Sequence, residues 1–161
     1  MTSMLAAMPP ATPARANSKR TGTLRYLRHG MTAPNLAHVR CGGDLDEPLL
    51  DQGREQIDEA ALQLAKMEPP IGLIITSDLR RTRESARIIA ARLNAVEIHI
   101  VPGFAERRLG DWNLLSIEET QPWLDAGLDP PGGETDIEFT QRVARALYSV
   151  KPLLHLHPLL V

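Results

Sequence analysis

The chain has 161 residues, 43% of them hydrophobic and 24% charged, with 18 Lys and Arg against 20 Asp and Glu for a formal net charge of −2. That size suits one domain with its own apolar core, burying roughly 70% of the surface its unfolded chain exposes, and the balanced charge excludes a protein that holds polyanions by overall charge. No window approaches the roughly 18 apolar residues of a membrane-crossing helix, and the single Cys41 cannot close an internal disulfide, which fits a reducing cytoplasm.

Residues 1–21 are rich in Pro, Ala and Ser, with Arg15, Lys19 and Arg20 near their end. A secretory leader carries its charges before its apolar stretch, so the reversed order predicts a disordered tail. Order is expected from Thr23-Leu24-Arg25-Tyr26-Leu27-Arg28, a β-prone run leading into His29-Gly30. Pro34, Gly42, Gly43 and Pro48 mark Met31 to Leu50 as loop. Asp51 is placed to cap a helix that carries Ile57, Ala60, Ala61, Leu64 and Ala65 at helical spacing and ends at Pro69-Pro70. Ile71-Gly72-Leu73-Ile74-Ile75-Thr76 is a continuous apolar run, the pattern of a strand buried on both faces of a parallel sheet. Ser77 or Asp78 then caps a helix from about Leu79 to Leu93, and Val96 to Val101 alternates like a further strand. The stretch holding Trp112 and Trp123, closed by Pro130-Pro131-Gly132-Gly133, reads as loop, and a last helix is expected from about Thr135 to Leu154. This alternation predicts an α/β fold over residues 22–161: an open, mostly parallel sheet with helices on both faces.

Ligands of open α/β sheets collect at the carboxyl ends of the strands. Two such tips carry chemistry here, Arg28-His29-Gly30 and Ser77-Asp78-Leu79-Arg80-Arg81. Arginine forks match phosphate oxygens, and a neutral imidazole among them is a competent nucleophile toward phosphorus. Taken singly, His29 reads as a turn histidine and each arginine as a solvated surface charge.

The joint pattern says more. Arg28-His29-Gly30 with Thr32 and Asn35 resembles the signature opening the catalytic loop of the histidine phosphatase (phosphoglycerate mutase-like) superfamily. Leu50-Asp51-Gln52-Gly53-Arg54-Glu55 is similar to its next helix start, and Ser77-Asp78-Leu79-Arg80-Arg81-Thr82-Arg83-Glu84-Ser85-Ala86 to its Ser-x-Leu-x-Arg segment. Phe104-Ala105-Glu106-Arg107-Arg108-Leu109-Gly110 resembles the block holding the acid/base glutamate, and Gly132-Gly133-Glu134 with Arg142-Val143 its later Gly-Glu and Arg-Val pattern. The resemblance implies that His29 is the nucleophile, that Glu106 is the general acid and base, and that Arg28, Arg81 and Asn35 bind phosphate. It implies no cofactor and no metal, and His38, His99, His155 and His157 show no ligand spacing with Cys41.

The family pattern continues with a strand and a second histidine after the last helix. Here Pro158 to Val161 reads only as the approach to that strand, so the strand and its histidine are expected to be missing, with neighbouring strands left unpaired and the last helix poorly seated. His157 is a poor substitute because it precedes a proline rather than following a strand.

The expected activity is hydrolysis of a small phosphorylated metabolite through phosphohistidine. The short stretch between Trp112 and Gly132 resembles the small phosphatase branch more than the mutases, which carry a longer insertion there. The alternatives are mutase-type phosphoryl transfer and a truncated relative that only binds phosphate esters. Arg80, Arg81, Arg83 and Arg87 could form a nucleic-acid face, but Glu84 lies among them and the chain is net acidic, so no nucleic acid and no membrane partner is expected. A homodimer stays open.

Overall fold

The computed structural model describes residues 22–161. The tail expected over residues 1–21 falls outside them. In chain order the elements are β1 (Arg25–Tyr26), α1 (Ala33–Leu36), α2 (Asp51–Leu64), β2 (Ile74–Thr76), α3 (Arg80–Arg92), β3 (Ile98–Ile100), α4 (Ile117–Asp125), α5 (Asp136–Val150) and β4 (Leu159–Leu160). Short 3-10 turns occupy Pro102–Phe104, Gly110–Trp112 and Lys151–Leu156.

The four strands form one sheet in the order β1-β4-β2-β3, and every neighbouring pair is parallel. The alternation of side chains separates two apolar layers. Ile74 and Leu159 point to the layer packed by Ile57, Ala61, Ala86 and Ile89 of α2 and α3. Ile75 and Leu160 point to the other, where Val150 of α5 packs. Helices therefore cover both faces, as the doubly apolar run at β2 requires.

The sequence expectation fails at β4. Leu159-Leu160 lies between β1 and β2, with Leu27 N–H donating to Leu160 O at 2.9 Å and Val161 N–H to Ile75 O at 2.9 Å. The strand read as missing is thus begun within the chain, and β1 and β2 are bridged through it. Two strand residues suffice, because Leu159 is fully buried between α2, α3 and the sheet. Nor is α5 poorly seated: Ala146 and Val150 are buried, and Thr135 and Glu138 cap its start reciprocally.

Other boundaries also move. Neither Asp51 nor Ser77 nor Asp78 caps a helix; Leu50 and Leu79 stand at those positions without side-chain caps. Ser77 instead shares a hydrogen bond with Thr82 inside the fold (2.7 Å). Helix α5 stops at Val150 rather than Leu154, since Pro152 has no N–H to continue the ladder and the chain tightens into a 3-10 turn. Within supposed loops stand α1 and α4. The start of α4 is fixed by Ser116 Oγ, which accepts from Glu119 N–H at 3.0 Å.

Candidate active site

The β1 tip and the α3 start are joined before any ligand is considered. Gly30 N–H donates to Ser85 Oγ at 3.3 Å, and that hydroxyl donates to Arg81 O at 2.8 Å. Beneath them the start of α2 comes so close that a Cβ at Gly30 would meet the Gly53 carbonyl, and one at Gly53 the Met31 backbone. Two glycines thus let three segments converge. The result is a cleft of about 510 Å³ lined by Arg28, His29, Asn35, Arg81 and Glu106, continuous in its lining with a recess of about 220 Å³. All five residues singled out in the sequence meet here.

His29 is half-buried, and its Nδ1 lies 2.7 Å from Gly30 O. A carbonyl can only accept, so Nδ1 carries the proton and Nε2 keeps its lone pair. Burial lowers the His29 pKa from 6.5; the Gly30 carbonyl opposes this, and the charges of Arg81 and Arg28 add to the lowering. The ring is neutral at neutral pH, the form a nucleophile requires. Cys41 also lines the cleft, but burial pushes its thiol up, away from the reactive thiolate.

Arg81 is 2% exposed. Its guanidinium donates to Leu45 O at 2.8 Å and to Gly42 O at 3.2 Å, and no carboxylate among the described residues forms an ion pair with it. A buried cation held only by neutral carbonyls is an electrostatic demand for an anion. Arg28 is exposed at the rim and likewise has no carboxylate partner among the described residues. Asn35 turns its Oδ1 to the Thr32 N–H (3.1 Å) and Thr32 hydroxyl (2.9 Å), which leaves its NH₂ as the group able to donate to a ligand.

Glu106 is exposed, with Oε1 accepting from the Arg107 N–H at 2.8 Å. Its backbone is held more firmly. Arg142 donates to Gly103 O (3.1 Å), Ala105 O (2.9 Å) and Glu106 O (3.2 Å), and also to both oxygens of Glu134 (2.7 Å each). Glu134 is 2% exposed and accepts from the Arg108 N–H at 3.0 Å. Its hydrogen bonds from Arg142, opposed by burial and aided by the Arg108 N–H, hold its pKa down at about 2. The Gly-Glu and Arg-Val blocks of the sequence are thus the brace behind Glu106.

His155 and His157 stand at the amino end of β4, opposite the cleft: His157 follows the 3-10 turn with φ +50°, and its Nδ1 accepts from Thr23 N–H at 3.4 Å. His29 is the one histidine lining the cleft among the described residues. No group of three or more His, Cys, Asp or Glu suited to a metal gathers among those residues either. No helix among them is long and apolar enough to cross a membrane. Sequence reasoning missed Arg40, Tyr26 and Phe139, which also line the cleft. The Ser116-Ile117-Glu118-Glu119 capping pattern would have disclosed α4, the element that fixes Arg40.

Known proteins resemble this chain in sequence and in fold. The chain is 38% identical over 132 residues to a glucosyl-3-phosphoglycerate phosphatase of Mycolicibacterium vanbaalenii, covering 76% of this chain and 57% of that one. It therefore spans little more than half the length of that relative. Among solved structures, a mycobacterial glucosyl-3-phosphoglycerate phosphatase complexed with VO3 superposes with a TM-score of 0.71 at 30% identity, covering 86% of this chain and 74% of that one. A putative alpha-ribazole-5'-P phosphatase from Escherichia coli gives a TM-score of 0.73 at 25% identity, covering 86% and 71%. The description of the histidine phosphatase superfamily, branch 1, matches residues 24–159, nearly all of the described chain, and the protein belongs to that family.

Proposed function

We propose that the chain binds small phosphate monoesters and passes their phosphoryl group through His29. The observation carrying this is the buried, counter-ion-free Arg81 beside a histidine whose Nδ1–H is already committed. His29 Nε2 forms a bond to phosphorus as the ester P–O bond breaks. Glu106 gives the leaving alkoxide its proton, and the alcohol departs. Water then attacks phosphorus, Glu106 takes its proton, the P–N bond breaks, and inorganic phosphate is released. Arg28, Arg81 and the Asn35 NH₂ hold the equatorial oxygens, where charge develops in the in-line transition state. Glu106 can exchange protons with solvent directly, since its side chain is exposed.

Relatives named as phosphatases of a phosphorylated glycerate and a phosphorylated ribazole support a small metabolite as substrate. Hydrolysis is preferred to mutase-type transfer because the stretch between Trp112 and Gly132 is short and holds only α4, which adds just Ile117 and Leu124 to the cleft lining. A binding-only role is the second reading, favoured by the absence of another imidazole from the cleft lining among the described residues. Loss of one charge-stabilising donor typically lowers turnover on the order of 10²–10³-fold. Two further parts of the proposal are a cytoplasmic setting, supported by the lone thiol, and a homodimer, supported by Ile137 and Tyr148 standing 68% and 77% exposed on α5. Light scattering that returns only the 17.8 kDa monomer at micromolar concentration would remove the dimer.

Turnover of para-nitrophenyl phosphate, with His29→Ala as control, tests the reading. Activity abolished by the substitution supports it. Equal turnover in both proteins refutes it, and phosphate binding without turnover leaves the binding-only role.

A further inference from the structure

Four arginines line the cleft: Arg28, Arg40, Arg81 and Arg107. Arg28 and Arg81 serve the phosphate proposed above. Arg107 is neutralised where it stands, 2.6 Å from Asp129 and 3.9 Å from Asp136. Arg40 is not accounted for.

Its guanidinium is fixed by neutral acceptors from one turn of α4. Nε donates to Thr120 Oγ1 at 2.8 Å, and Nη2 donates to Gln121 Oε1 at 2.9 Å. No carboxylate among the described residues forms an ion pair with it. Both partners are themselves oriented. Thr120 is fully buried and donates its hydroxyl proton to Ser116 O at 2.8 Å, so only its lone pairs are left for Arg40. Gln121 gives an N–H to Asp125 Oδ1 at 2.7 Å, which turns its carbonyl oxygen toward the guanidinium. The backbone is tied as well, with Arg40 N–H donating to Leu115 O at 2.8 Å and Leu114 N–H to Arg40 O at 3.0 Å.

A long flexible cation has therefore been held in one geometry, without its charge being cancelled, at the edge of a polar cleft. An arginine that merely tied α4 to the preceding loop would do so better with an ion pair. The arrangement has the features of a preorganised receptor, in which the ordering cost of the side chain is met before the ligand arrives. It is bonded to α4, whose Ile117 and Leu124 share the cleft lining, and a cleft of about 510 Å³ leaves room for more than a phosphoryl group.

We propose that Arg40 is a specificity-determining residue that receives a second anionic group of the substrate, a carboxylate or a second phosphate, while Arg28 and Arg81 hold the reacting phosphoryl group. This rests on the phosphate-ester reading of the site. It makes esters with two anionic groups separated by a short carbon chain the preferred ligands of that site. Esters with an uncharged tail would bind through one end only.

Isothermal titration of the full chain with 3-phosphoglycerate and with glycerol 3-phosphate isolates the effect, since the two probes differ chiefly by a carboxylate. The wild-type chain should bind the carboxylate-bearing probe on the order of 10-fold or more tightly, the scale of one charge-assisted hydrogen-bonded pair. In Arg40→Gln that ratio should collapse toward one, and in Arg40→Lys it should recover in part. A bisphosphate of similar length, tested beside them, distinguishes carboxylate from phosphate as the group received. A ratio unchanged by Arg40→Gln, in a variant whose melting temperature shows that it folds, would overturn the assignment and leave the phosphate site standing. Failure of the wild-type chain to bind either probe, or inorganic phosphate, would overturn both readings together.

Discussion

Glu134→Gln offers a quantitative test of how the Glu106 segment is held. The Glu134 carboxylate is 2% exposed and takes two hydrogen bonds from Arg142 and one from the Arg108 N–H. Its pKa falls from 4.5 to about 2. At about 1.4 kcal/mol per unit, that difference corresponds to roughly 3 kcal/mol of stability. Because the folded-state pKa is depressed, this contribution is fully present above pH 4.5 and is lost as pH falls through about 2. The amide keeps the shape but not the charge, and leaves Arg142 without its counter-ion. Urea unfolding from pH 7 to pH 2.5 should show the variant less stable by about 3 kcal/mol near neutrality, with the gap closing as acid protonates the wild-type carboxyl. The same change should loosen the Gly103, Ala105 and Glu106 carbonyls that Arg142 holds, lowering turnover without altering phosphate affinity. A gap below about 1 kcal/mol, or one constant across the pH range, would refute the brace.

Gly53→Ala should destabilise the fold by roughly 2 kcal/mol or more, since its Cβ would strike the Met31 backbone rather than a movable side chain; a melting temperature equal to wild type contradicts this. The His29 ring should titrate below 6.5 when followed by NMR, so that neutral imidazole persists into mildly acidic solution. In Arg81→Met the midpoint should rise, because a neighbouring cation that disfavours protonation has been removed; an unmoved midpoint would place the Arg81 charge out of reach of the ring. The same substitution should weaken inorganic phosphate or vanadate binding by at least about 100-fold, the scale of two charge-assisted hydrogen bonds. A loss below about 3-fold, by titration, would remove Arg81 from the anion site.

The sequence disclosed the parts of this molecule that local chemistry dictates. Ile71 to Thr76 was legible as an apolar run, and the structure forms its inner strand, buried on both faces, from the Ile74–Thr76 part of it, Gly72 being exposed. The convergence of His29 with Arg81 also followed from strand-tip reasoning, because both precede or open helices at the carboxyl edge of a parallel sheet. Hidden were features that depend on distant partners. Leu159-Leu160 is too short to announce a strand and is one only because β1 and β2 offer it hydrogen bonds on both sides. Helix α4 contains Pro122 and several polar residues, which mask its periodicity, although Ser116 and Glu119 mark its start. Arg40 sits far in sequence from the Thr120 and Gln121 that hold it, so its role is visible only in three dimensions. Glu106 illustrates the converse case. Its position was legible, but its support by Arg142 and Glu134 was not, since the brace is assembled from side chains of another helix and its preceding loop.

The central claim is that phosphorus becomes bonded to Nε2 of His29. The chain, mixed with para-nitrophenyl phosphate, quenched in alkali and mapped by peptide mass spectrometry, should carry one acid-labile, base-stable phosphoryl group on the peptide containing His29. A phosphoryl group found on any other residue, or sustained hydrolysis with no adduct and undiminished in His29→Ala, would contradict the account.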